Sequence, residues 1–331
     1  MKPPTTRILT RDDIAQALSL VDCITAVEQV FALAAEDGML VPQVVHLPVP
    51  EGAFHVKSAA YRLAPHYVAV KVNGNFPGNP KAHGLPTIQG AILLSDARDG
   101  RLLAILDSIE VTALRTGAAT AVAARHLAPR QVRNACVIGC GVQGQVQLRS
   151  LLEVFTLERV FAADADPGRA REYAEQMQRE TGCEVVAVDD FARATPQSEI
   201  VVTCTPSRQA FLHPEHVAPG TLIAAVGADD SSKQEIAPEL MARAKVVVDN
   251  LDQCVEMGDL HHAIAAGAMS REDVLAELGE VVAGRVNANI TADDVVVFDS
   301  TGIATQDVAA AGMIYERASA AGIGTTVVFN R

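Results

Sequence analysis

Gly139-Cys-Gly141-Val-Gln-Gly144 sets three glycines in the pattern GxGxxG. An aliphatic stretch, Ala135 to Ile138, precedes it, and a helical stretch from Val142 follows. Strand, glycine loop and helix in that order are what a dinucleotide site requires. The first glycine permits the tight turn. The second lets backbone approach a pyrophosphate, and the third lets helix pack on strand. The helix N-terminus then offers free N–H groups and partial positive charge to the phosphates. Asp164 closes the next aliphatic stretch, about 20 residues beyond the loop, where a carboxylate accepts from a ribose diol and repels a 2′-phosphate. That favours NAD over NADP. The competing reading is a cap on the following helix, a role that Asp166 and Pro167 could also fill.

Asp229 follows the stretch Leu222 to Val226. Ligands bind outside the carboxyl ends of such strands, so this acid could exchange a proton with a substrate nitrogen. A solvated loop acid or a cap is the plainer reading, and Asp230 qualifies on the same grounds. Lys71 sits inside the aliphatic run Val68 to Val72, where a charge needs a partner or a cleft. Lys57 is a similar but weaker case. Arg115 lies among small residues, Thr112-Ala-Leu-Arg-Thr-Gly-Ala-Ala, where other backbone can come close and a guanidinium could grip a carboxylate through two hydrogen bonds. Structural ion pairing with some of the acids explains all three equally well. His261 and His262 are adjacent and so do not form an i, i+4 metal pair. No metal site and no hydrolase triad is expected.

The elements that must position these residues differ along the chain. Residues 1 to about 110 mix short strands with turns and open on a helix from Thr10, whose apolar spacing predicts continuation through Phe31. Strands are expected at Val44–Val49, Phe54–Ala59, Tyr67–Val72, Gly90–Ser95 and Leu102–Asp107, then an Ala-rich helix over 109–127. From residue 135, strand and helix alternate with aliphatic strands. That is the pattern of a Rossmann-type doubly wound parallel sheet, an α/β fold, here with an α+β domain before it. The tail, 305–321, reads as a helix that could return to the first domain. The expected domains are 1–126 with 305–331, for substrate binding and dimerisation, and 127–304, for NAD.

Composition limits the function classes. The chain has 331 residues, enough for about two cores, and 49% are apolar. A formal charge of −13, without a long Lys/Arg run, argues against a nucleic-acid partner. No apolar run approaches the ~18 residues of a membrane span. The N-terminus lacks a signal-peptide pattern, so the expected location is the cytoplasm, with the six scattered cysteines reduced.

Lys71-Val-Asn-Gly-Asn-Phe-Pro-Gly-Asn-Pro80, Gly84-Leu-Pro-Thr87, Thr112-Ala-Leu-Arg115-Thr, the glycine loop, Ala225-Val-Gly-Ala-Asp229 with Lys233 and Glu235, and Phe298-Asp-Ser-Thr-Gly302 together resemble the ornithine cyclodeaminase/mu-crystallin family. The resemblance covers nearly the whole chain. It implies a homodimer acting on a small amino or imino acid with a nicotinamide cofactor. Lys71 and Arg115 match the substrate-carboxylate cations, and Asp229 the catalytic aspartate. Thr87, Gly141, Val142, Gln143, Asp164, Thr203, Lys233 and Ser300 match cofactor-contacting positions, to which Gly139, Gly144 and Arg115 are added. Two positions depart. Cyclodeaminases carry a catalytic glutamate near Lys57, and an arginine near Gln43. A lysine cannot be that carboxylate base, though it could assist as a cationic acid. The expectation is therefore net redox chemistry: an imine reductase or amino acid dehydrogenase, with Asp229, Lys57 and Lys71 catalytic and Lys57, Lys71 and Arg115 binding substrate. An ammonia lyase using bound NAD and a non-enzymatic binding protein are the alternatives.

Overall fold

The computed structural model describes residues 5–40, 42–62 and 64–328. The outer limits of the expected first domain, residues 1 and 331, lie outside them. The chain forms two compact units, Met1–Arg115 with Ile303–Arg331, and Thr116–Gly302.

The first unit opens with β1 (Thr6–Leu9), α1 (Arg11–Ala17) and α2 (Leu20–Ala35). Thr10 and Asp13 form a capping box on α1. The single helix expected through Phe31 is two helices bent by 82°. Ser19 causes the break: its backbone is extended and its hydroxyl accepts from the Asp22 N–H at 3.2 Å, starting a new helix. Five strands follow: β2 (Gln43–Val49), β3 (Gly52–Ala60), β4 (Tyr67–Asn75), β5 (Ile88–Asp96) and β6 (Leu102–Asp107). Helix α3 (Ser108–Leu127) then carries the chain into the second unit. The division falls inside this helix, at Arg115/Thr116, upstream of residue 126.

The second unit is built on β7 (Asn134–Ile138), α4 (Val142–Leu152), β8 (Arg159–Ala163), α5 (Pro167–Thr181), β9 (Glu184–Ala187), β10 (Ile200–Thr203), β11 (Leu222–Ala225), β12 (Lys245–Val248), β13 (Ala276–Glu277) and β14 (Val296–Asp299). These strands form one parallel sheet in the order β13-β12-β14-β11-β10-β7-β8-β9. Strand order reverses between β7 and β10, the place where doubly wound sheets bind ligands. The strands are covered on both faces, which explains their aliphatic runs: Cys136, Val201, Ile223 and Val246 are all fully buried.

The chain re-enters the first unit as α6 (Ala304–Ala321) and β15 (Thr325–Val327). The first sheet then runs β15-β1-β6-β5-β4-β3-β2. β1 is parallel to β6, and the other pairs are antiparallel. The short edge strands β1 and β15 carry too few residues to show a period. The pleat sorts side chains to two faces. Lys57 pairs with Lys71 and Lys71 with Ile92, on the face against which α6 packs. One residue along, Val45, Val56, Val72 and Ala91 form a row on the opposite face. There Val45, Leu47, Phe54, Val72 and Leu93 are exposed. No single helix among the described residues is long and apolar enough to cross a membrane; α1 and α2 together have the length and composition but are bent.

Candidate functional site

The glycine loop joins β7 to α4 with three glycines that answer to different constraints. Gly139 has φ +109°, and a Cβ there would lie 2.8 Å from the Cys204 carbonyl oxygen. A Cβ on Gly144 would lie 2.1 Å from the Gly139 carbonyl oxygen. The chain's own packing therefore demands both. Gly141 is different. Its φ of −87° suits any residue, and a Cβ there meets nothing within 4 Å. The turn does not need that glycine, but a pyrophosphate lying against the backbone does. Gly141 also caps α4 without a side-chain hydrogen bond, so the first N–H groups of an 11-residue helix stay available to an anion. Val142, beside it, is exposed. The residues present fit a dinucleotide.

Asp164 accepts from the Cys140 N–H at 2.9 Å and the Asp166 N–H at 3.0 Å. These bonds aim the carboxylate beside the loop. Asp166 caps α5, accepting from Gly168 N–H at 2.8 Å, and Pro167 follows it. The capping role is thus filled, and Asp164 is left with the loop. Tyr173, which the sequence did not single out, ties α5 to the loop: its buried hydroxyl donates to the Gly144 carbonyl at 2.9 Å. Thr203 ends β10 and is buried. Gln143 accepts weakly from Gln147, at 3.5 Å. Thr87 is half-buried, and its carbonyl receives the Phe76 N–H at 2.8 Å in the first unit.

Around the carboxyl ends of β11, β12 and β14 lies a buried acidic network. Asp249 accepts from Ser300 Oγ at 3.0 Å, Thr301 Oγ1 at 3.1 Å and Gly302 N at 2.7 Å. Ser300 therefore holds the loop after β14 in place. Glu235 accepts from the Thr205 and Gly227 N–H groups at 2.6 and 3.0 Å. Asp259 accepts from Glu235 and Ile236 N–H, both at 2.8 Å, and Asp299 from Leu260 N–H at 2.8 Å. Asp259 Oδ2 and Asp299 Oδ1 are buried without a hydrogen-bond partner. Burial first pushes both carboxyls up; the fields of Asp299 and Glu235 add to the push on Asp259, and those of Asp249 and Glu235 to the push on Asp299, where N–H groups pull back. Among the described residues, no group of three His, Cys, Asp or Glu side chains could hold a metal.

Asp229 is about half exposed and pairs with Lys233. Burial pushes Lys233 down, but Asp229, Asp230 and Glu235 overrule it, and its affinity for the proton rises. Asp230 is used by the turn itself, accepting from Ser232 N and Oγ at 2.7 and 2.6 Å. The two acids that the sequence left equivalent are thereby separated.

In the first unit, Lys57, Lys71 and Arg115 converge. Lys71 Nζ lies 2.7 Å from Asp307 Oδ2, and Arg115 Nε 3.3 Å from Asp307 Oδ1. Arg115 Nη1 donates to Gln306 Oε1 at 3.1 Å, and Lys71 to Thr112 Oγ1 at 3.4 Å. The ion pairing open at the sequence level is real, but two cations share one acid. Asp307 stays ionised: burial pushes it up, and Lys71, Arg115 and Lys57 outweigh burial. Lys71 is pushed down to about 7, by burial first, against the pull of Asp307, with Arg115 and Lys57 adding to the push. Asp307 was missed in the sequence. Its signal was there: a lone acid, with Gln306, directly before the Ala-rich stretch Val308 to Gly312 needs a buried partner. The small residues after Arg115 also have their reason: a Cβ on Gly117 would lie 2.3 Å from Ser150 Oγ.

The profile of the ornithine cyclodeaminase/mu-crystallin family matches residues 5–322. Three solved structures resemble the chain along its whole length. An archaeal alanine dehydrogenase dimer with bound NAD is 34% identical, with 99% of this chain and 100% of that one covered and a TM-score of 0.94. The Thermococcus litoralis Delta(1)-pyrroline-2-carboxylate reductase, in complex with NADH and L-proline, is 30% identical, with 97% and 100% covered and a TM-score of 0.92. The Paracoccus denitrificans iminosuccinate reductase, in complex with NAD+, is 32% identical, with 98% and 99% covered and a TM-score of 0.89.

Two outcomes are expected. Gly144→Ala forces the Gly139 carbonyl to move and should lower the melting temperature with or without nucleotide. Gly141→Ala should leave the melting temperature of the free protein within the error of calorimetry and weaken NADH binding at least ~10-fold; equal affinity would show that the open space at Gly141 serves no ligand. The second concerns pH. Asp259 and Asp299 hold protons in the folded chain at pH values where an unfolded carboxyl, with a pKa of about 4, has lost them. The folded state then binds more protons, so stability falls as pH rises from about 4 toward neutrality. Asp299→Asn should flatten that fall in denaturant titrations. An unchanged slope would mean the pair does not titrate there.

Proposed function

The chain belongs to the ornithine cyclodeaminase/mu-crystallin family, and on that premise we propose that it is an NAD-dependent imine reductase or amino acid dehydrogenase for a small amino or imino acid. The observation that carries the reading is the buried trio Lys71, Asp307 and Arg115. Two cations held by one shared acid keep the capacity to grip a substrate carboxylate, and their geometry is set before the substrate arrives. The similar structures with bound NAD or NADH support the cofactor, as does the unfilled space at Gly141.

When bound, the nicotinamide supplies or takes a hydride. The loop Gly139 to Gly144 and the N-terminus of α4 hold the phosphates, with Val142 and Gln143 alongside, and Asp164 accepts from the adenosine ribose. Thr87, Thr203, Lys233, Ser300 and Arg115 are the further assigned cofactor positions. For Ser300 this acts through the loop that Asp249 holds, and for Lys233 through its pair with Asp229. Arg115 and Lys71 hold the substrate carboxylate. Asp229 exchanges the proton of the substrate nitrogen, with Lys57 assisting. Lys71, pushed down to about 7 by burial, can move a proton near neutral pH. Lys57 cannot serve as a carboxylate base, which weighs against cyclodeamination.

We assign substrate binding and dimerisation to the first unit and a cytoplasmic location to the protein. The open row of Val45, Leu47, Phe54, Val72 and Leu93 on the first sheet suits a second copy of the chain, and one similar structure is a dimer. Sedimentation should find a dimer that Leu47→Glu shifts to monomer; a wild-type monomer would remove this assignment.

The activity test follows loss of NADH absorbance with α-keto acids plus ammonia and with preformed cyclic imines. Amine- or imine-dependent oxidation is expected, and Asp229→Asn should lower kcat by ~10²–10⁴-fold. Full turnover in that variant would take the proton-exchange role from Asp229.

A further inference from the structure

We infer that His262 is a positioning residue for the proton-exchange site at Asp229. The inference rests on the role given to Asp229 above and names a group that holds its loop in register. The loop 227–233 leaves the carboxyl end of β11 and carries Asp229. Side chains from outside the loop fasten both of its ends. At the first end, Glu235 accepts from the Gly227 N–H at 3.0 Å and from the Thr205 N–H at 2.6 Å. The approach is so close that a Cβ on Gly227 would lie 2.5 Å from the Glu235 carboxyl carbon. At the second end, His262 Nε2 lies 2.9 Å from the Lys233 carbonyl oxygen. A carbonyl only accepts, so Nε2 carries the hydrogen and donates it. Lys233 in turn sets its largely buried ammonium on the Asp229 carboxylate.

The short helix Asp259–Ala265 carries His262 and is itself pinned. Asp299, at the end of β14, accepts from the Leu260 N–H at 2.8 Å. Gly258 enters the helix at φ +88°, where a Cβ would lie 3.0 Å from both carboxylate oxygens of Asp299. Asp259 precedes His262 by three residues and so shares its helix face. It accepts from the Glu235 and Ile236 N–H groups, both at 2.8 Å. A helix of seven residues does not hold its shape by itself. Two buried carboxylates fix this one, and it grips the segment 233–236 at two points. The adjacent histidines thereby have separate uses: His261 Nδ1 meets the Val255 carbonyl at 3.0 Å, and His262 turns to the loop. The clasp needs no charge on His262, because neutral imidazole with its hydrogen on Nε2 and imidazolium both donate there. Removing the donor releases the backbone that carries Lys233, and the lysine that sits on Asp229 moves with it.

The test uses the full chain with saturating NADH and whichever cyclic imine, or α-keto acid plus ammonia, turns over fastest. His262→Leu should lower kcat at least ~10-fold, the scale on which a small misplacement of a reacting group slows a step. His262→Gln, whose Nε2 takes the place of the imidazole Nε2, should restore kcat to within ~2-fold of wild type. Hydrogen exchange read by mass spectrometry, without substrate, gives a second readout. The amides of 227–236 should exchange faster in the leucine variant and at the wild-type rate in the glutamine variant. In the Asp229→Asn background, His262→Leu should lower kcat no further, as befits two residues acting through one group. If the leucine variant does not fold, His262→Asn replaces it, with an amide one methylene too short to reach Lys233. Wild-type kcat in the folded leucine or asparagine variant, equal losses with leucine and glutamine, or a full additional loss beside Asp229→Asn would overturn the inference and leave the role of Asp229 standing. Full turnover of Asp229→Asn, or no turnover of the wild type on any of these substrates, removes that role and the inference with it.

Discussion

The carboxylate of Asp307 is the point on which the first unit's chemistry depends. It lies on α6, a helix whose other residues at that level are mostly alanine. It meets Lys71 from β4 and Arg115 from α3, so one acid fixes three elements that are far apart in sequence. Without it, two buried cations would face each other with no compensation, and the Ala-rich helix would have no reason to dock in one register rather than another. Ionic contacts of this burial add little net stability. What they contribute is placement: the lysine and the guanidinium are held before any ligand arrives.

The dinucleotide loop shows the opposite economy. Nothing in it is charged except Asp164 at its edge. Its specificity is steric, through a carbonyl that forbids a side chain at Gly144 and a left-handed turn at Gly139. The space at Gly141 is left by the chain rather than imposed by it. A ligand site is legible there because one glycine has no internal cause.

Charge is handled differently in the second unit. Four acids, Glu235, Asp249, Asp259 and Asp299, are buried around the carboxyl ends of the strands. Backbone N–H groups satisfy most of their oxygens, and protons take the place of cations at the pair with orphaned oxygens. The network holds the loops after β11, β12 and β14, which carry Asp229 and Ser300. Their geometry is thereby tied to the protonation of groups that do not react.

The sequence by itself determined the alternating architecture from residue 135, the glycine loop, most strand positions and the identity of the cations. These are local signals: period, glycine spacing, and charge set within an aliphatic run. It also showed that Arg115 stood among small residues, though not what approached them. Tertiary structure alone decided the break at Ser19, where a cap outweighs continuous apolar spacing, and the edge strands β1 and β15, too short to carry a period. It separated Asp229 from Asp230, and Asp164 from Asp166, because the choice lies in which backbone N–H each carboxylate reaches. Above all it brought Asp307 to Lys71, 236 positions earlier. A period reports which face a residue occupies, whereas the partner across that face depends on how distant helices and strands pack, and no local pattern encodes it.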